Sequence, residues 1–286
     1  MSDARTMRKD AVTAQPARAA PGLRPAVAGR SPAEIYDEQF VPALFRQWGP
    51  VVADAAQVGP GQSVLDVACG TGALTAVLAE RVGVRGTVVG LDANPQMLEV
   101  ARRKSLNVEW RHGRAVSLPF DSDRFDAVAS QFGLMFFENR GTALREVTRV
   151  LRPGGHLAVA VCDGLDRSAG YAALAALLQR LFGDTVAEAF RAPFALGEPT
   201  QLRSLCDRAG IPEATVTRRA GTVRFESIAA LVATERACVW TLGGLLDDEQ
   251  FERLLKEAAM GLLPFADARG QVTFEMPALI ITAGRT

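Results

Sequence analysis

The chain has 286 residues, enough for one large domain or a domain with a lid, and 48% of them are apolar against 22% charged, the ordinary balance of a globular protein. Its 32 basic and 32 acidic residues cancel, so no overall charge draws it to nucleic acid or to an anionic membrane, and no apolar run approaches the roughly 20 residues that insert across a bilayer. The four cysteines, Cys69, Cys162, Cys206 and Cys238, are scattered without metal-ligand spacing or the density of a secreted disulfide framework, which points to a reducing cytoplasm and to no metal site.

Residues 1–30 are rich in Ala, Pro and Arg, with six basic residues against Asp3 and Asp10. Such a segment buries too little surface to offset its ordering entropy, so a disordered tail is expected. An organelle transit peptide has a similar composition, but the Ala/Arg/Gly bias runs through the whole chain. Residues 31–286 are expected to form a single domain. Ser31 and Pro32 read as the cap and first residue of a helix running to Val58, with Tyr36, Phe40, Leu44 and Trp48 on one stripe and Pro42 interrupting it. Gly59, Pro60 and Gly61 then mark a turn.

Val64, Leu65 and Val67 predict a buried strand with Asp66 near its end. The small residues Ala68, Cys69, Gly70, Thr71 and Gly72 follow, then ALTAVLAERV with helical spacing. A strand, a tight turn and a helix in that order place a ligand at the carboxyl end of the strand, where unpaired helix N–H groups face it. A P-loop needs Gly-Lys-Ser/Thr, and here Ala73 and Leu74 follow Gly72. A dinucleotide fingerprint needs a third small residue where Thr75 stands. The next strand, Gly86 to Asp92, ends in a carboxylate suited to two vicinal ribose hydroxyls, before a helix with Pro95 in its first turn.

A short third strand covers Val108 to Trp110 and a fourth Phe125 to Ser130, followed by the aromatic loop QFGLMFFENR. A helix from Glu146 to Gly155 and a fifth strand over HLAVAVC come next. Beyond residue 163 the periodicity gives helices at YAALAALLQRLF and LGEPTQLRSLCDRAGI, then a strand or hairpin from Thr215 to Phe225 around Gly221. A helix opens at Ser227, another covers LDDEQFERLLKEAAMGLL, and a last strand spans Val272 to Thr282 with Pro277 inside it.

Asp66, Ala68, Gly70 and Gly72 spell DxAxGxG, and with Asp92, Ala93, Met97 and Leu98 after the second strand the chain resembles the class I S-adenosylmethionine methyltransferases. The kinship extends over about residues 33–162, through Gly113, Ala115, Leu118, Pro119 and Phe120 of a third motif, Asp126, and the Arg-Pro-Gly-Gly turn. The ubiquinone/menaquinone-type and natural-product enzymes are the nearest in character. The resemblance implies an α/β fold: a Rossmann-like seven-stranded, mostly parallel sheet with helices on both faces and a helical lid from about 165–213 and 226–265. It implies S-adenosylmethionine bound by Asp66, Ala68, Gly70, Thr71, Gly72, Asp92, Ala93, Met97, Ala115, Val116 and Gln131, with S-adenosylhomocysteine as product. Tyr36, Phe40 and Phe132 are the implied acceptor contacts, and the acceptor a small, partly apolar molecule methylated by in-line displacement.

One position departs from that family. Where its third motif carries an acid that accepts from the adenine amino group, this chain has Arg114, which has donors only. An outward Arg114 is expected, because an inward one would be desolvated beside a cationic ligand. The only two histidines, His112 and His156, do not sit where the pattern places the acceptor, so no catalytic base is assigned. Two other readings stand beside methyl transfer at this point: a non-catalytic S-adenosylmethionine-binding protein, and an NAD-dependent oxidoreductase.

Overall fold

The computed structural model describes residues 29–104 and 106–286. The expected disordered tail therefore lies outside the described residues, apart from Gly29 and Arg30; Arg30 pairs with Glu38 at 2.6 Å.

Seven strands form one sheet in the order β3-β2-β1-β4-β5-β9-β6. They are β1 (Ser63–Val67), β2 (Thr87–Asp92), β3 (Glu109–His112), β4 (Phe125–Gln131), β5 (Leu151–Cys162), β6 (Thr215–Arg219) and β9 (Ala278–Gly284). The first five pair in parallel, and β9 runs antiparallel to both β5 and β6. Val64 to Val67 are all buried, as are Leu157 to Cys162; consecutive residues point to opposite faces, so helices must cover both. The expected α/β class and strand number hold.

Helices α2 (Trp48–Ala55) and α3 (Ala73–Val82) pack together against the sheet, and α5 (Arg140–Val150) packs against β5 and α8 (Pro199–Arg208). Helix α4 (Pro95–Arg102) covers β2 and β3. The later helices α6 (Ala169–Phe182), α7 (Asp184–Arg191), α9 (Ile228–Ala237) and α10 (Asp248–Gly261) join a two-stranded ribbon of β7 (Thr222–Phe225) and β8 (Val272–Glu275) to form a cap. Among the described residues, no helix is long and apolar enough to cross a membrane.

Several boundaries differ from the sequence reading, each for a physical reason. The first helix is three pieces: α1 (Pro32–Ile35), a π-helix over Tyr36–Phe45, and α2. Pro42 lacks an N–H and its ring crowds the carbonyl four residues back, so the wider helix relieves the conflict. At its end the Arg46 N–H reaches back five residues to the Val41 carbonyl, at 2.7 Å. Ser31 does cap α1, in a reciprocal box with Glu34.

Helix α5 begins at Arg140, not Glu146, because the Asn139 side chain accepts from the Thr142 N–H and caps it. It ends at Val150, and Arg152 to Gly155 belong to β5, where the register slips between Phe125 and Ala127 of the partner strand. The third strand sits one to two residues later than expected. Helix α7 was missed by the sequence reading. Thr215 to Phe225 is not a hairpin: β6 pairs with β9 and β7 with β8. Pro277 does not merely interrupt one strand but separates two, β8 and β9, which belong to different sheets.

Gly72 caps α3 at φ +85, and a Cβ there would lie 2.7 Å from the Trp110 ring, whose other edge crowds Gly90. Gly61, at φ +79, faces open space. Gly72→Ala should therefore cost about 2–4 kcal/mol, from left-handed backbone and overpacking together. Gly61→Ala should cost only about 1–2 kcal/mol for the backbone. Thermal denaturation of the two variants measures the difference.

Candidate functional site

The carboxyl ends of β1, β2 and β4 meet beneath the helical cap, and a cavity of 420 Å³ opens between them. Its geometry begins with backbone conformation. Ala68 and Phe132 follow the adjacent strands β1 and β4, and both have positive φ, +58 and +56. L-residues adopt that conformation at a cost of about 1–3 kcal/mol, which the surrounding packing must over-determine. A Cβ on Gly133 would come within 2.6 Å of the Ala68 Cβ, so the two turns are in direct contact.

Asp92 joins the turn after β1 to the turn after β2. Its carboxylate accepts from the Gly70 N–H at 2.8 Å and from the Asn94 N–H at 2.7 Å. Burial pushes its pKa up, and these backbone donors pull against that shift. Asn94, rather than Asp92, caps α4, accepting from the Gln96 N–H at 2.9 Å. Gly70 has φ +56, and a Cβ there would meet nothing closer than the Tyr36 ring at 4.0 Å, so its Cα faces open cavity.

Of the residues singled out in the sequence, the cavity wall includes Ala68, Gly70, Asp92, Ala93, Met97, Ala115, Val116, Gln131, Tyr36, Phe40 and Phe132. Asp66, Thr71 and Gly72 are not part of it. Asp66 lies fully buried behind the turn and accepts from the Thr75 hydroxyl at 2.6 Å, with burial raising its pKa to about 7. It fastens the first turn of α3 to β1. Gly72 backs onto Trp110.

Gln131 donates to the Phe45 carbonyl at 3.1 Å, which aligns its amide, while its Oε1 is buried without a partner. Arg114 and Glu138 form an ion pair on the cavity wall, with side chains 57% and 54% exposed. The arginine is thus turned to solvent, as expected. Aromatic rings fill the rest of the wall: Tyr36 stacks on Phe45 at 5.3 Å between centroids, and Trp240 meets both Tyr36 and Phe136 edge-on or tilted, at 6.0 and 5.9 Å.

The sequence reading missed the far end of this cavity. Tyr171 of α6, Phe190 of α7, Glu235 of α9 and the segment Cys238 to Thr241 line it. Glu235 is 2% exposed, its Oε2 has no partner, and burial lifts its pKa to about 7. A signal was present: Leu231, Val232 and Glu235 share one helical stripe, so the pattern places a carboxylate on the buried face of α9.

Comparison with known proteins places this site in a lineage. Residues 40–172 match the ubiE/COQ5 methyltransferase family. The 2-phytyl-1,4-naphtoquinone methyltransferase of Synechococcus elongatus is 35% identical over 161 residues, covering 53% of this chain and 67% of that protein. This chain belongs to the ubiE/COQ5 methyltransferase family.

It is therefore a class I S-adenosylmethionine-dependent methyltransferase, which sets aside the nicotinamide reading. The ubiquinone/menaquinone biosynthesis C-methyltransferase UbiE of Hahella chejuensis is 43% identical over 132 residues, 44% of this chain and 53% of that enzyme. The chain thus matches only about half the length of that relative. In fold it is similar to the YcgJ protein of Bacillus subtilis, with a TM-score of 0.56 at 17% identity over 84% of this chain and 99% of that one. The family match stops at residue 172, before α7, α9 and the whole of the cap that follows.

Because Arg114 is held outward by Glu138, Arg114→Ala should bind S-adenosylhomocysteine within about twofold of wild type, as for other exposed ion pairs. Arg114→Asp should bind as well or better. Isothermal calorimetry reads both, and a large loss in Arg114→Ala would make the guanidinium a ligand.

Proposed function

We propose that the chain methylates a flat, hydroxylated aromatic molecule of quinol type, carrying an apolar substituent, with the donor lying along the β1–β2–β4 ends and the acceptor under the cap. The observation that carries this reading is a single cavity with two unlike ends. One end presents Asp92, the open Gly70 backbone and the unpaired Gln131 oxygen, with the rings of Tyr36, Phe40 and Phe132 beside them; the other reaches Tyr171, Phe190 and Glu235 of the cap. The relatives named for naphthoquinone and ubiquinone/menaquinone substrates support the acceptor class.

The residues present suit the donor. Each oxygen of the Asp92 carboxylate accepts one backbone N–H and keeps a lone pair for a ribose hydroxyl. The buried, partnerless Oε1 of Gln131 calls for a donor, which the ammonium of an amino-acid moiety supplies. Ala68, Ala93 and Met97 give apolar contact, and the main chain of Ala115 and Val116 serves the adenine in place of a side-chain acid. Asp66, through Thr75, and Gly72, against Trp110, support the turn from behind, and Thr71 is buried in it. When bound, S-adenosylmethionine supplies an electrophilic methyl on a sulfonium.

For such an in-line displacement the chain's main contribution is to hold two reactants in near-attack geometry and exclude water. Tyr36, Phe40 and Phe132 offer flat surfaces to an aromatic acceptor, and the helices over 165–213 and 226–265 act as the lid that shuts the site. The four cysteines are free, three of them buried, in keeping with a cytoplasmic setting.

Asp92→Ala should weaken S-adenosylhomocysteine binding by about tenfold or more, since each charge-assisted hydrogen bond to a buried carboxylate is worth about 1.5–3 kcal/mol. Incubation with radiolabelled S-adenosylmethionine and a naphthohydroquinone acceptor tests the activity, with labelled product expected from wild type. Donor binding without product across quinols, phenols and catechols would leave a binding protein instead.

A further inference from the structure

The cap carries two polar groups whose hydrogen bonding the protein leaves incomplete. Glu235 Oε2 and the Tyr171 hydroxyl are both buried on the cavity wall and lie close enough to act on each other, yet neither completes a hydrogen bond of normal geometry within the protein. They come from different helices, α9 and α6, so no single local turn forces them there. Leaving a buried polar group incompletely bonded is costly, and two such groups side by side on one cavity wall suggest a ligand that completes them. Phe190, Phe194 and Met276 of the surrounding wall offer no side-chain hydrogen bond, and the Thr241 hydroxyl beside Glu235 donates to its main-chain carbonyl.

We propose that Glu235 is the acceptor-side base, taking the proton of an acceptor hydroxyl that the Tyr171 hydroxyl holds in place. This rests on the methyl-transfer reading and deepens it by assigning the acceptor's polar contact. The acceptor O–H bond breaks and its proton forms the O–H bond of a neutral Glu235. The bonding pair stays on the acceptor oxygen and, directly or through the conjugated ring, supplies the new bond to the methyl carbon, while the pair of the broken S–C bond leaves on sulfur. Tyr171 touches the acceptor but keeps its own proton, so it is a positioning residue.

The environment suits a base that works near neutrality. Burial is the main cause of the raised Glu235 pKa, and the hydroxyls of Thr241 and Tyr171 pull it back only part of the way. The titratable groups that feel its charge are Tyr171, Cys162 and Cys238. Burial pushes all three up, Cys238 to about 12, so they remain neutral across the working range and Glu235 is the group that ionises there. A carboxyl whose folded pKa stands above its unfolded value stabilises the fold at low pH, and that contribution is lost as pH rises through the folded value. Glu235→Gln should therefore gain thermal stability relative to wild type as pH goes from about 4.5 to 7 and above.

Two measurements on the full chain test the proposal. In the first, kcat for methyl transfer to a naphthohydroquinone is followed against pH. Wild type should rise through about pH 7, and Glu235→Gln should lose about 100-fold or more in kcat together with the rising limb, with KM for the methyl donor unchanged. A Glu235→Gln rate within about threefold of wild type, with the limb intact, overturns the base while leaving methyl transfer standing. The second needs no turnover. Calorimetry at pH 8 should show 1-naphthol binding about tenfold or more tightly than 1-methoxynaphthalene, because only the former can donate to a carboxylate. Glu235→Leu, of similar volume, should erase that preference and Tyr171→Phe should reduce it. Equal binding of naphthol and its ether by wild type overturns the proposal even if no methylated product is ever found.

Discussion

The Asp92 carboxylate is the tie on which the site depends. By accepting from Gly70 on one side and Asn94 on the other, it fixes the turn after β1 against the turn after β2, two segments that touch only at their tips. That bond requires Gly70 to present its N–H from a left-handed conformation, which in turn requires Ala68 to reverse the chain at positive φ just before it. Asp66 then anchors the far side of the same turn through Thr75. The strained backbone of Ala68 and the left-handed Gly70 beside it are thus held between two carboxylates, leaving an open face where a ligand's main body can lie.

Part of the structure's unsatisfied polarity lies where that face leads. Gln131 Oε1, Tyr171 and Glu235 are each buried without a partner, and all three line the one cavity. Ordinary cores satisfy such groups, because a lone buried donor or acceptor costs more than a made bond returns. Their convergence on a wall rich in aromatic rings suits a molecule that is flat and apolar over most of its surface and polar at a few points.

The part of the cavity built on β1 and β2 was legible in the sequence because its constraints are local. A strand-end acid, small residues at alternate positions and a second acid twenty residues on all lie within one βαβ unit, where geometry follows from hydrogen bonding over short separations. The cap was not legible in the same way. Tyr171, Phe190, Glu235 and Trp240 converge from four segments spread over seventy residues, and only tertiary packing decides that they face one another. The same distinction explains the strands near the C-terminus. Thr215 to Phe225 carries hairpin chemistry, yet β6 finds its partner more than sixty residues later in β9, because the sheet needs an antiparallel strand beside β5. The Asn139 cap was a local signal in plain view, masked by the polar first turn Arg140, Gly141 and Thr142.

Charge explains why Arg114 can stand where related enzymes carry an acid. The buried carboxyls of the cavity are Asp92 and Glu235, its buried phenols and thiols are held neutral by burial, and the arginine pairs with Glu138 on the more exposed part of the wall. A cationic ligand therefore meets negative groups at both ends of the site and no buried positive one. Burial makes the ionised form of Glu235 costly, so a step that hands it a proton while consuming a positive charge nearby removes both unfavourable charges from the same dry space. In the proposed step the desolvation that raises this carboxyl's pKa favours proton uptake, since Glu235 loses its charge as the sulfonium loses its own. An arginine turned into the cavity would pair with Glu235 or Asp92 and hold them ionised, which is the arrangement this fold avoids by keeping the guanidinium outside.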